Sequence, residues 1–226
     1  MFDGRWRTSV ERGLQPVGAN IRRTGITADH LTATGLVMAV AAAVAIGNGA
    51  LRGGLLLLVA CAVPDLLDGA VAKASGTASA RGAFFDSVAD RVTDALLLGG
   101  VAWYLASAEG SHYAVLPLAV LAASMLISYE RAKAEALGFN ARGGLMERAE
   151  RIVALAFGLL FDSLLVPVLF VMLALTMFTA VQRFARVWAQ ASAPRPAPEL
   201  SRWRGRRMAR PTERAWRRRA RSAGRR

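Results

Sequence analysis

The 226-residue chain is poor in the residues that build cross-linked or soluble metal-binding scaffolds. It has one cysteine, Cys61, and two histidines, His30 and His112. A single thiol excludes an intrachain disulfide framework, and this one lies in an apolar run. Neither histidine has a nucleophile or ligand partner nearby in sequence, so both read as interfacial residues. No glycine-rich loop ending in Gly-Lys-Ser/Thr occurs, and no internal repeat is visible. Lysine is nearly absent, with Lys73 and Lys133 against 27 arginines. Net charge is also nearly absent before residue 191: residues 191–226 carry thirteen Arg and two Glu, +11 of the total of +13. The basicity therefore belongs to a tail, which argues against a nucleic-acid-binding face on the folded part. Trp188, Trp203 and Trp216 fit interface anchoring, not base stacking.

What the chain has in abundance is apolar sequence. Hydrophobic residues make up 54% of it, too many for an ordinary soluble domain and suited to an all-α polytopic membrane protein. The first apolar run starts at Leu31, behind an arginine-bearing N-terminus without a small-residue cleavage pattern, so no cleavable signal peptide is expected. In residues 1–24, Phe2, Trp6, Val10, Leu14, Val17 and Ile21 recur every three or four positions between arginines. This predicts an amphipathic helix lying on the membrane surface. Six transmembrane helices are expected over 31–48, 51–74, 82–108, 113–137, 147–163 and 165–188. Basic residues fall before the first span (Arg22, Arg23), between the second and third (Lys73, Arg81), between the fourth and fifth (Lys133, Arg142, Arg148) and after the sixth (Arg186). The turns at 108–112 and 162–165 have none; Arg52, in the first turn, is the exception. This alternation predicts a multi-pass protein of the cell membrane with both termini cytoplasmic. Residues 1–190 then form one membrane domain. The Pro-, Ala- and Arg-rich residues 191–226 form a disordered cytoplasmic tail, either solvated or bound to anionic lipid.

Four carboxylates stand out against this background. Asp65 and Asp68 are i,i+3, and Asp86 and Asp90 are i,i+4, so each pair shares one helix face. Each ionised residue costs roughly 2.5–3.5 kcal/mol at mid-bilayer on insertion scales. Facing each other, the pairs would offer the oxygen ligands that hard divalent cations take. Gly69 and Gly82 leave room beside them, and Lys73 could neutralise a phosphate. Two other readings fit the pairs alone: carboxylates satisfied by Lys73, Arg81 and Arg91, or a cation or proton pathway. Asp94 continues the i,i+4 stripe one turn deeper and is expected in helix packing or a supporting contact.

The full string, Asp65-x2-Asp68-Gly69-x2-Ala72-Lys73-x8-Gly82-x3-Asp86-x3-Asp90, closely resembles the motif of the CDP-alcohol phosphotransferase family. Every fixed position matches except Lys73, where the family has Arg; lysine keeps the charge and loses the planar fork. The resemblance covers residues 1 to about 190. It implies a surface helix followed by six membrane helices, a homodimer, and two Mg²⁺ ions (or Mn²⁺) held by Asp65, Asp68, Asp86 and Asp90, with Asp90 as general base. It further implies contacts to CDP-diacylglycerol from Asp29, His30, Leu31, Thr32, Gly69, Lys73 and Ser79. Asp29–Thr32 also reads as a helix start, with Thr27 or Asp29 as N-cap.

The acceptor is read from the second half. Arg131, Lys133, Arg148, Arg151 and Arg183 lie on different predicted helices at one membrane level. Converging, they would bind an acceptor phosphate through charge-assisted hydrogen bonds; singly, each could be a snorkelling residue. Residues 127–138, 143–152 and 181–188 resemble the actinobacterial branch of the family that joins CDP-diacylglycerol to inositol phosphate, although Arg131 and Lys133 appear with Lys and Arg exchanged. The expected reaction is transfer of the phosphatidyl group to 1D-myo-inositol 3-phosphate with release of CMP, in phospholipid biosynthesis. Glycerol 3-phosphate is the alternative acceptor. A transporter would be expected to show paired repeats and broken helices, and neither is present. A nucleic-acid-binding role would leave the Asp string unexplained.

Overall fold

Helix starts and stops follow local chemistry closely. A computed structural model of the chain describes residues 27–62, 79–108, 112–141 and 143–193. The surface helix expected at 1–24, the stretch holding Asp65, Asp68, Gly69 and Lys73, and the basic tail beyond 193 lie outside these residues. Helix α1 spans Ala28–Gly47. Thr27 caps it: its side chain accepts from His30 N–H, and the His30 ring accepts from Thr27 N–H. This reciprocal pair satisfies two donors that the first turn would otherwise leave open. The helix stops at Asn48, whose side chain donates to Val44 O. Gly49, at φ 82°, takes the left-handed conformation that turns the chain. Helix α2 follows at once as Leu51–Ala62.

Helix α3 runs Ala80–Ala108, α4 Val115–Ala136 and α5 Arg148–Leu160. A short 3₁₀ turn, Asp162–Leu164, leads into α6, Leu165–Ser192. Pro117 and Pro167 both fall in the first turn of their helices, where a missing N–H breaks no helical bond. The described residues are all helix and connecting turns. Three of the helices are long and apolar enough to cross a membrane: Asp29–Gly47, Val115–Ala136 and Asp162–Ser192. Helix α3 is long enough, about 44 Å at 1.5 Å per residue, but its first half carries Arg81, Asp86, Asp90, Arg91 and Asp94. Helix α5, about 20 Å long, falls short of a hydrocarbon core of roughly 30 Å.

Helices α1 and α3 pack closely along each other. Gly100 explains how: a Cβ there would sit 2.6 Å from Ala43 O and 2.8 Å from Ala43 Cα. Small residues at the contact let two backbones approach, as membrane helices require. The core gathers Ala42 and Ile46 of α1, Leu58 of α2, Leu97, Val101 and Leu105 of α3, Val120 of α4, Leu155 and Leu159 of α5, and Leu169 and Met172 of α6. The outer surface is apolar too, with Leu56 72%, Val153 68% and Val181 64% exposed. A bundle apolar inside and out is built for lipid, not water.

The two ends of the bundle differ. At one, Tyr104 of α3 donates to Asp162 before α6. At the opposite end, the N-termini of α1, α3 and α5 meet the C-terminal part of α6. Asp29, Arg81, Asp86, Asp90, Asp94, Glu147, Arg148, Arg151 and Arg183 collect there.

Candidate active site

The site grows from two helix starts. Ser79 immediately precedes α3, and its Oγ accepts from Gly82 N–H at 3.0 Å. Asp29, in the first turn of α1, approaches the same turn: its Oδ2 accepts from Arg81 Nη2 at 3.1 Å. A Cβ on Gly82 would stand 3.3 Å from Ser79 Oγ and 3.8 Å from Asp29 Oδ1. Asp29 and Ser79, far apart in sequence and both expected to contact CDP-diacylglycerol, thus share one corner at Gly82. Arg81 is the partner of Asp29 that the sequence reading did not supply. His30 is exposed and belongs to the cap of α1.

One and two turns further along α3 lie Asp86 and Asp90, both half-buried. Asp90, Ala89 and Thr93 line a recess with Leu31, Thr32, Gly35 and Leu36 of α1, Cys61 of α2, and Arg148 of α5. Two of the residues expected to hold the donor lipid therefore open onto the same space as the expected base and one of the expected acceptor arginines. Arg148 Nη1 stands 2.9 Å from Asp90 Oδ1.

Helix α5 supplies the guanidinium groups. Arg148 and Arg151 are i,i+3 and share a face. Arg151 Nη2 donates to Asp94 Oδ2 at 2.8 Å, and its Nη1 to Met146 O at 3.4 Å. Arg148 Nε lies 3.8 Å from Asp94 Oδ1. Behind them, Arg183 of α6 is almost fully buried. It donates through Nη1 to Ile127 O at 3.0 Å and through Nη2 to Glu147 at 3.1 Å. The segment before α5 is strapped to α6 by further bonds: Met146 N–H to Thr179 Oγ1, and Gln190 to both the N–H and O of Asn140. Arg183 is thus aligned with the turn that presents Arg148.

The five expected acceptor residues divide in two. Arg148 and Arg151 share Asp94, and Arg183 holds the turn beside them. Arg131 instead pairs with Glu135 one turn on, about half exposed, and the exposed Lys133 has no ion pair among the described residues. The sequence reading missed Glu147 as the partner of Arg183. It placed Asp94 in packing or support; the i,i+4 stripe through Asp86 and Asp90 was the signal for it.

Asp86 and Asp90 are hard oxygen donors of the kind that Mg²⁺ or Mn²⁺ takes. Among the described residues no three His, Cys, Asp or Glu side chains come together to hold an ion. The donor set of α3 therefore fits a metal centre only as half of one, which is what the motif implies.

A bundle clad in apolar side chains, with carboxylates and guanidinium groups gathered at one end beside a recess, defines a membrane protein equipped to handle phosphate esters. Similarity to known proteins makes this specific. The sequence model for CDP-alcohol phosphatidyltransferase matches residues 25–189, and the chain belongs to that family, whose members are transferases of substituted phosphate groups. It is 35% identical over 188 residues to the archaetidylinositol phosphate synthase of Methanothermobacter thermautotrophicus, covering 81% of this chain and 92% of that protein. It is 35% identical over 159 residues to the phosphatidylinositol phosphate synthase of Mycobacteroides abscessus, covering 70% and 72%. Among solved structures, the Mycobacterium tuberculosis phosphatidylinositol phosphate synthase with CDP-DAG bound superposes with a TM-score of 0.74 at 29% identity, covering 82% of this chain and 99% of that one. The same enzyme in complex with manganese and citrate gives 0.74 at 28% identity, covering 81% and 93%.

Proposed function

We propose that the chain transfers the phosphatidyl group of CDP-diacylglycerol to 1D-myo-inositol 3-phosphate, releasing CMP. The observation that carries this reading is the direct contact of Asp90 of α3 with Arg148 of α5, beside Leu31 and Thr32 of α1. The names of the relatives support the inositol phosphate acceptor.

In this reading Asp29 and Ser79 meet the nucleotide end of the donor at the Gly82 corner, with Gly69 and Lys73 beside the diphosphate. The acyl chains remain in the bilayer. Asp65, Asp68, Asp86 and Asp90 hold two divalent ions, Mg²⁺ or Mn²⁺, which when bound neutralise charge on the diphosphate. Arg148, Arg151 and Arg183 orient the acceptor phosphate. Asp90 takes the proton of the acceptor hydroxyl. The hydroxyl oxygen bonds to the lipid-side phosphorus, and the bond from that phosphorus to the bridging oxygen breaks, with its electron pair leaving on CMP. Glycerol 3-phosphate is the second reading, favoured by the exchanged positions of Arg131 and Lys133.

Around this site we infer six spans after an N-terminal surface helix, and a multi-pass homodimer in the cell membrane. The positions of basic residues support cytoplasmic termini, and residues 191–226 act as a basic tail outside the catalytic domain of residues 1–190. The test is CMP release by purified protein from CDP-diacylglycerol with inositol phosphate, free inositol and glycerol 3-phosphate. Preference for inositol phosphate is expected. Preference for glycerol 3-phosphate moves the enzyme to the second reading, and preference for free inositol removes the need for the arginines.

A further inference from the structure

We propose that Asp94 is a positioning residue that holds Arg148 and Arg151 as one rigid pair of guanidinium groups for the acceptor phosphate and ties that pair to Asp90. The proposal rests on the functional reading above and adds to it a carboxylate outside the family motif.

Helix α3 places Asp94 one turn beyond Asp90, on the same face and deeper, at 6% exposure. Each of its oxygens faces a different arginine: Oδ2 accepts from Arg151 at 2.8 Å, and Oδ1 lies 3.8 Å from Arg148 Nε. Arg148 in turn reaches Asp90 at 2.9 Å. The order Asp90, Arg148, Asp94, Arg151 therefore alternates in charge across the α3–α5 contact. Beneath Asp94 and Arg151 the space is lined by Leu97, Leu98, Leu155 and Met172, so the pair is not solvated from that side.

Stability does not account for this arrangement. Each buried ion loses several kcal/mol of hydration, and apolar side chains of similar volume often serve packing as well or better. What the arrangement provides is order. Arginine carries about 2 kcal/mol of rotamer entropy. A guanidinium group already fixed by a carboxylate does not lose that freedom again when a ligand arrives. Because Arg148 bonds Asp90 directly and its Nε lies 3.8 Å from Asp94, a phosphate bound to it is also set near Asp90, next to which the acceptor hydroxyl must lie. Asp94 bonds Arg151 at 2.8 Å and faces Arg148 at 3.8 Å, and both are expected acceptor residues.

The test uses the full-length enzyme in detergent with Mn²⁺. The acceptor is whichever of inositol phosphate and glycerol 3-phosphate the wild type uses. Two quantities are read: KM values for both substrates, and calorimetric binding of the acceptor in the absence of CDP-diacylglycerol. Asp94→Asn keeps the shape and removes the charge. The acceptor KM and Kd are expected to rise tenfold or more, with less than a twofold change in the CDP-diacylglycerol KM. The double variant Asp94→Asn/Arg151→Ala is expected to lose less than the product of the two single losses, because the part of the Asp94 effect that acts through Arg151 is lost only once. An unchanged acceptor Kd in folded Asp94→Asn, equal losses for both substrates, or additive losses in the double variant would overturn the proposal. If Asp94→Asn does not fold, Asp94→Glu carries the test: it keeps the charge and shifts it by one methylene, so the acceptor Kd must still rise selectively, and an unchanged Kd overturns the proposal. A wild type that uses neither phosphorylated acceptor overturns the functional reading and this proposal together, an outcome distinct from a defect confined to the Asp94 variants.

Discussion

Arg148 Nη1 lies 2.9 Å from Asp90 Oδ1, so the carboxylate at the end of the family motif is in direct contact with the first residue of α5. The expected base and the expected acceptor site therefore form one unit. Asp90→Asn keeps the shape but has no basic oxygen of equal strength and is a poorer metal ligand. CMP release is expected to fall at least about a hundredfold, the lower end of what general-base catalysis contributes, in a protein that still folds but unfolds at a lower temperature because the mostly buried pair with Arg148 is weakened. Substantial turnover by the purified variant would remove Asp90 from its role.

Gly99 and Gly100 are neighbours on α3 and should behave oppositely. An alanine Cβ at position 100 meets the Ala43 backbone, which has no rotamer to yield, whereas a Cβ at 99 meets nothing within 4 Å. Gly100→Ala is expected to destabilise by about 1–3 kcal/mol or more. Gly99→Ala should be neutral or stabilising by up to about 1 kcal/mol from helix propensity. Thermal unfolding of both variants in one detergent decides the point; equal behaviour would contradict the close α1–α3 approach.

Ion pairs at the polar end should differ in weight according to burial. Arg183 is buried and bonded to Ile127 O and Glu147. Removing one partner of such a pair typically costs about 3–5 kcal/mol, so Arg183→Ala should lower stability as well as raise the acceptor KM. Arg131 pairs with Glu135 at a half-exposed position. An exposed pair contributes about 0.2–1 kcal/mol, and Arg131→Ala should leave the unfolding temperature nearly unchanged. Similar losses in the two variants would contradict the assigned burial.

The Asp29–Arg81 contact offers a separate check on the donor side. Arg81 is highly exposed, so Arg81→Ala should leave stability within about 1 kcal/mol of wild type. Asp29→Ala is expected to raise the CDP-diacylglycerol KM severalfold and leave the acceptor KM unchanged. A reversed pattern would place Asp29 on the acceptor side.

The basic residues beyond 193 follow α6 in sequence and lie beyond the motif. Deleting residues 195–226 is expected to leave turnover in detergent largely intact while weakening co-sedimentation with anionic liposomes, at roughly 1 kcal/mol per basic residue near the surface. A truncated enzyme that folds normally and does not turn over would make the tail part of the active site.

Much of the fold was legible because it is local. Apolar runs and the charges between them located α1, α3, α4, α5 and α6 to within a few residues, Thr27 caps α1 through bonds made within one turn, and Pro117 and Pro167 fall where a missing N–H costs nothing. The shared faces of Asp86 with Asp90, and of Arg148 with Arg151, follow from 3.6 residues per turn alone. The string from Asp65 to Asp90 was enough to identify the family.

Which arginine meets which carboxylate was decided by tertiary structure. The sequence offered Lys73, Arg81 and Arg91 as partners for the motif aspartates. Among the described residues the fold sends Arg81 to Asp29, Arg148 to Asp90 and Arg151 to Asp94, and ties Arg183 to Glu147, while Lys73, Asp65 and Asp68 lie outside them. The fold also pairs Arg131 with Glu135 on its own helix, whereas Arg148 and Arg151 pair across to α3. The reason is physical: helical spacing sets which side chains share a face, while the axial register and rotation of one helix against another set which faces meet. That register comes from contacts such as Gly100 against Ala43 and Thr179 against Met146, which join residues far apart in the chain.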